Sequence, residues 1–160
     1  MNEIEHLDLK SFVAHAVSEV FSTMLSLEVE PDVLNGQSPP EGNRIVGSVS
    51  FAGEVMGSIS IQVTDAFGRL IAAAMLGMEE AEIEGTDEVN DVIGEMSNMI
   101  GGGLKSHLCD SGFPCDLSIP SITTGSDFKI ESRSWLRHEK FAFKCNRHIA
   151  VVEAFIKPGS

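Results

Sequence analysis

Glu95 and Asn98 stand three residues apart in a stretch that reads as helix, so their side chains point the same way. They do not form a general acid and base pair, because an amide does not titrate and Asn98 can only orient a group through its carbonyl and NH₂. The pair suits docking and positioning instead. The carboxylate can hold a cation while the amide places a polar atom, such as a water, beside it. No nucleophile accompanies them. The chain has no G-x-S-x-G, no P-loop and no Cys–His pairing at a readable spacing. Taken alone, the pair also reads as part of a solvated helix face, since most polar faces are nothing more.

The helix expected to carry the pair runs from Thr86 to Leu108, with Thr86 as its cap and Asp87 and Glu88 placed where the helix dipole favours negative charge. At 100° per residue, Val92, Ile93, Met96, Met99, Ile100 and Leu104 fall on one arc of roughly 140°. Asp91, Glu95, Asn98, Gly102 and Lys105 fall within roughly 80° of one another on the opposite side. Between them lies Gly101-Gly102-Gly103. Glycine inside a helix costs about 1 kcal/mol relative to alanine, so helix stability does not account for three in a row. Gly103, on the apolar side, would let another element pack close. Gly101 and Gly102 are expected to leave a bare surface where a partner approaches the backbone. Lys105 could touch that partner, although a solvated lysine reads as well.

These residues resemble the E-x-x-N helix of the CheX/CheC/FliY chemotaxis phosphatases: Glu95-Met96-Ser97-Asn98, then Met99 and Gly102, with Lys105 and Leu108 beyond. The segments on either side, Ala73 to Met78 and Pro120 through Thr124 to Ile130, follow the CheX pattern in order. The resemblance runs from about Phe12 to Phe155 and is nearest to the short, one-site CheX type. It implies hydrolysis of the aspartyl phosphate of a CheY-like response-regulator receiver. Glu95 would contact the receiver's lysine, Asn98 would orient the attacking water, and Asp91, Gly101, Gly102 and Lys105 would form the partner-binding surface. It implies no cofactor held by this chain, Mg²⁺ being supplied by the receiver, and a homodimer paired through its sheets, with the edge near Ile119 to Ile130 as the candidate. The other reading it leaves is a non-catalytic receiver-binding or flagellar-switch-like module.

Composition agrees with a single domain over residues 1–160, 42% hydrophobic and 22% charged. A formal net charge of −13 argues against nucleic acid, whose binding needs clustered Lys and Arg, and disfavours an anionic membrane surface. The acidic N-terminal decapeptide lacks an apolar core and does not read as a signal peptide. Leu70 to Leu76, the longest strictly apolar run, is too short to span a bilayer. Cys109, Cys115 and Cys145 are odd in number and form no C-x-x-C, pointing to reduced thiols in the cytoplasm. His107, Cys109 and Cys115 match no standard zinc spacing, so no metal site is expected.

The rest of the chain must position that helix. A first helix is expected from Asp8 to about Leu27, with Val13, Val17, Val20, Phe21, Met24 and Leu25 as its buried stripe and Pro31 beyond it. His15 lies off the stripe and reads as surface, without an acidic partner. After a turn-rich link from Val33 to Asn43, alternation over 45–51 and 55–63 predicts an antiparallel hairpin with one face buried. Thr64 or Asp65 caps a second helix that Gly77 ends, and an acidic link from Glu79 to Gly85 follows. Segments 114–119 and 121–124 read as edge strands, given Pro114 and Pro120. A short strand is expected at 127–131. Two more, 135–144 and 148–156, turn near Asn146-Arg147, the last covered on both faces, and Pro158 onward reads as a tail. The predicted fold is α+β, a largely antiparallel sheet with three main helices packed on it. Helix, link and hairpin occur twice, over 8–63 and 86–157. The first copy carries Glu19-Val20-Phe21-Ser22 where the second has Glu95 to Asn98; Ser22 replaces the asparagine and Phe21 lies in the buried stripe, so that copy reads as structural.

Overall fold

In the computed structural model, residues 3–32, 42–126 and 136–159 are described. Helix α1 (Leu9–Leu25) starts where Ser11 N–H donates to the Asp8 carboxylate at 3.2 Å. Those Ser11 hydrogen bonds hold the carboxyl below its ordinary range. The helix stops as Ser26 turns left-handed, at φ 53°, and Leu27 N–H returns to the Phe21 carbonyl at 3.0 Å. Helix α2 (Asp65–Leu76) is capped by Thr64, whose hydroxyl accepts from Phe67 N–H, and ends at Gly77 with φ 67°. A 3₁₀ turn over Glu80–Glu82 leads to α3 (Thr86–Asp110). No helix among the described residues is long and apolar enough to cross a membrane.

Among the described residues, seven strands form the sheet: β1 (Glu30–Asp32), β2 (Arg44–Gly53), β3 (Val55–Thr64), β4 (Cys115–Leu117), β5 (Ser121–Gly125), β6 (Arg137–Cys145) and β7 (His148–Pro158). The order is β1-β6-β7-β3-β2-β4, with β5 also paired to β2, and every one of these pairings is antiparallel. The fold is therefore α+β, three helices on a largely antiparallel sheet. The doubled pattern is visible in it. Hairpins β2–β3 and β6–β7 meet through β3 and β7, where Ile59 faces Ala154. The short strands cross over: β1, which follows α1, pairs with β6, while β4 and β5, which follow α3, pair with β2. Each copy completes the edge of the other.

One side of the sheet supplies Ile45, Val49, Ile59, Ile61, Val152 and Ile156 to a core shared with α1, α2 and α3. Each such side chain stabilises by roughly 1.5–3 kcal/mol on full burial. The hairpin is not simply buried on one face, as alternation suggests: Ser60 and Gln62 are buried along with Ile59, Ile61 and Val63. On the second face, Gln62 lies between the side chains of Val46 and Val151, and Ser60 beside Glu153, so these cross-strand neighbours cover them. In β7, Ala150 through Ile156 are buried, as expected of a central strand. Its polar member, Glu153, accepts from His138 Nε2 at 2.7 Å. Asn146 takes φ 55° in the β6–β7 turn. Pro158 closes β7 instead of starting a tail, and Gly159 N–H donates to the Glu54 carbonyl at 2.9 Å. The link over 33–41 and the strand expected at 127–131 lie outside the described residues.

Candidate functional site: the outer face of α3

Gly85, with extended backbone, is the N-cap of α3, and Thr86 is the first helical residue, not the cap. Val89, Val92, Ile93, Met96, Ile100, Leu104 and Leu108 are buried beneath the helix. Met99, expected among them, is only half-buried at the stripe's margin. Asp91 and Glu95 are exposed, and Asn98, Gly102 and Lys105 partly so. Among the described residues, none of the side chains of Asp91, Glu95, Asn98 and Lys105 makes a hydrogen bond or ion pair. Glu95 and Asn98 thus present a carboxylate and an amide on one face, with no partner for either among the described residues.

What sets the direction of that face is the row behind it. Ser97, between Glu95 and Asn98, is buried, and its hydroxyl donates to the Ile93 carbonyl at 2.8 Å. It sits directly over Gly47 of β2, where any β-carbon would collide with Ser97 Oγ. One turn on, Gly101 lies over Val49, and a β-carbon there would collide with Val49 Cγ2 and lie 3.3 Å from Leu117 Cδ1. Two notches, one in the strand and one in the helix, seat α3 closely on β2 and fix its rotation. The expectation that Gly101 offers a bare surface is therefore corrected: Gly101 is buried against the sheet. Gly103 does let another element approach, since its β-carbon would come 2.9 Å from Ala16 Cβ on α1. A β-carbon on Gly102, by contrast, would meet none of the described residues within 4 Å.

On α1, Glu19 and Ser22 are also exposed, with Val20 and Phe21 buried between them. Thr23 and Ser22 hydroxyls both turn back to the Glu19 carbonyl, at 2.6 and 3.3 Å. His15 is at the surface, as expected, yet it does have neighbours: Glu19 Oε2 at 3.8 Å and His107 Nε2 at 3.3 Å. The four-residue spacing of His15 and Glu19 carries a signal for the first. The second depends on the packing of α1 on α3. His107 also stacks on Phe12, rings 4.7 Å apart, which turns it toward α1. All three cysteines are free, and burial pushes the Cys115 and Cys145 thiols up.

A family model described as "Chemotaxis phosphatase CheX" matches residues 45–145, from the start of the first hairpin to the end of β6. The chain belongs to the CheX family. Among solved structures, the chemotaxis protein CheX of Vibrio vulnificus is 27% identical and superposes with a TM-score of 0.79, covering 94% of this chain and 97% of that one. The Desulfovibrio desulfuricans CheX is 24% identical, with a TM-score of 0.80 over 94% and 100% of the two chains. A CheX–CheY–BeF₃–Mg²⁺ complex from Borrelia burgdorferi contains a chain 22% identical, with a TM-score of 0.70 over 94% and 98%. At those two lower identities the likeness is one of fold. No curated protein sequence matches the chain.

Proposed function

We propose that this CheX-family protein hydrolyses the aspartyl phosphate of a CheY-like receiver domain. The observation that carries the reading is the Glu95 carboxylate and Asn98 amide, unpaired among the described residues, on one face of a helix whose rotation is set by Gly47, Ser97 and Gly101. The Borrelia CheX was crystallised with CheY and a phosphoryl mimic, which supports a receiver as the partner here. Phosphoryl transfer asks for positioning and charge stabilisation more than for a nucleophile from the catalyst. Glu95 docks on the receiver's lysine. Asn98 enters the receiver's site and holds a water in line with the phosphorus. That water attacks, the bond to the aspartyl oxygen breaks, and inorganic phosphate leaves with the receiver's carboxylate restored. Orientation of this kind lowers a barrier by several kcal/mol. Mg²⁺ belongs to the receiver, and this chain supplies no cofactor. Asp91, Gly102 and Lys105 border the contact; Gly101, being buried, is not part of it.

The same reading places the protein in the cytoplasm, with its receiver, as a homodimer. Ile119, 87% exposed between the edge strands β4 and β5, supports a sheet-edge contact. Light scattering should give twice 17.2 kDa at micromolar concentration. A monomer mass would count against it. The activity is tested by following loss of phosphate from ³²P-labelled receivers with excess Mg²⁺. Release by the wild type is expected; tight binding with no release would instead make the protein a receiver-binding module.

A further inference from the structure

Of the three consecutive glycines in α3, the fold itself requires two. Gly101 makes room for Val49 and Gly103 for Ala16, whereas a β-carbon on Gly102 would meet none of the described residues within 4 Å. Alanine at 102 would strengthen the helix and clash with none of the described residues. None of the described residues accounts for glycine there.

Gly102 is also where two surfaces join. It belongs to the face that carries Glu95 and Asn98, and it forms one wall of a groove of about 440 Å³ between α1 and α3. The apolar part of that groove comes from Val20, Met24 and Met99. Met24 is 47% exposed, although its place in the α1 pattern marks it for burial. Methionine is the side chain best able to reshape itself around a partner. Glu19 and Asp110, both exposed, supply negative charge at the groove.

We propose that the α1–α3 groove is an anchoring pocket for the receiver. It takes one apolar side chain of the receiver over Met24 and Met99, with a basic neighbour directed to Asp110, and Gly102 keeps the passage from the Asn98 face open. The proposal rests on the receiver as partner, and it divides the labour: α3 performs the chemistry, and the groove contributes affinity. A second copy of the chain in the groove is the competing occupant.

The test uses the full-length protein with a CheY-like receiver loaded with beryllofluoride and Mg²⁺, and separately with the phosphorylated receiver. Met24→Glu, at an exposed position, should raise Kd by ~10-fold or more, the scale of losing a central apolar anchor, and the loss of kcat/KM should appear in KM. Gly102→Ala should raise Tm by ~2–4 °C while weakening receiver binding, a combination that a merely structural glycine cannot give. Asn98→Ala is the converse control, with turnover lost and Kd kept. Unchanged Kd in both Met24→Glu and Gly102→Ala, beside an active wild type, overturns the groove and leaves the phosphatase reading intact. Groove-dependent binding by a wild type that releases no phosphate does the opposite. A change of mass in light scattering with Met24→Glu, at unaltered receiver affinity, assigns the groove to a second copy and also overturns it.

Discussion

Helices α1 and α3 occupy equivalent places in a doubled topology and differ in how they sit on the sheet. Each is followed by short edge strands, one after α1 and two after α3, and then a hairpin, and each exposes a glutamate with a polar residue three positions on. Helix α1 buries Val17, Val20 and Phe21, and the exposed hydroxyls of Ser22 and Thr23 fold back on the helix itself. Helix α3 also buries bulky residues such as Ile93, Met96 and Ile100, but adds small ones, Ser97 and Gly101, against Gly47 and Val49. Bulky side chains hold a helix in place by filling space; small ones hold it by letting backbones touch, which leaves less freedom to rock. An asparagine that must place a water to within about 1 Å gains from the second arrangement.

The largest expected effect is at Asn98. Asn98→Ala should keep the fold and receiver binding but slow turnover by roughly 10²-fold or more, the scale of misplacing a reacting atom. Asn98→Asp should fail too, because a carboxylate repels phosphoryl oxygens and lacks the NH₂ donor. Unchanged phosphate release from labelled receiver in Asn98→Ala would abolish the distinction between the helices. Next comes the glutamate pair. Glu95→Ala should weaken docking by several kcal/mol, part of it from the receiver lysine left unpaired, whereas Glu19→Ala should leave dephosphorylation near wild type. If titrations ranked them the other way, the site would belong on α1.

The seating itself is open to test. Gly101→Ala should cost about 1–3 kcal/mol in urea unfolding through overpacking against Val49. A neutral or stabilising result would show that α3 shifts freely and that its rotation is not set as described. The smallest effect is expected from Ser22→Asn, which builds Glu-x-x-Asn on α1. Added to Asn98→Ala, it should restore no turnover, since Glu19 faces the α1–α3 groove beside His15. Any recovery would mean that sequence alone, and not seating, separates the two helices.

Much of this is legible from residue order because it is local. Asp8 and Thr64 cap, Gly77 and Asn146 turn, and alternation marks the β2–β3 hairpin, so each depends on neighbours within a few positions. The free face of α3 follows from 100° per residue, and the family resemblance supplies the roles of Glu95 and Asn98. The burial of Gly101 is not legible in this way, because helical angle says which residues share a side but not which strand approaches it. Met24 reads as core for a similar reason: its stripe is apolar, but it lines the gap between α1 and α3, where no core closes over it. The His15–His107 contact and the crossing of β1 and β4 join residues distant in the chain, and no local pattern encodes them.

That crossing constrains how the molecule is made. Glu30 of β1 pairs with Lys144 of β6, so the first half emerges from synthesis with an edge strand whose partner follows 114 residues later. Until β6 and β7 arrive, β3 also lacks its central neighbour. Contacts so remote in sequence form slowly, and neither half can close its own sheet. The two halves are interlocked, and a break in the acidic link between α2 and α3 would yield fragments that regain structure only by associating with each other.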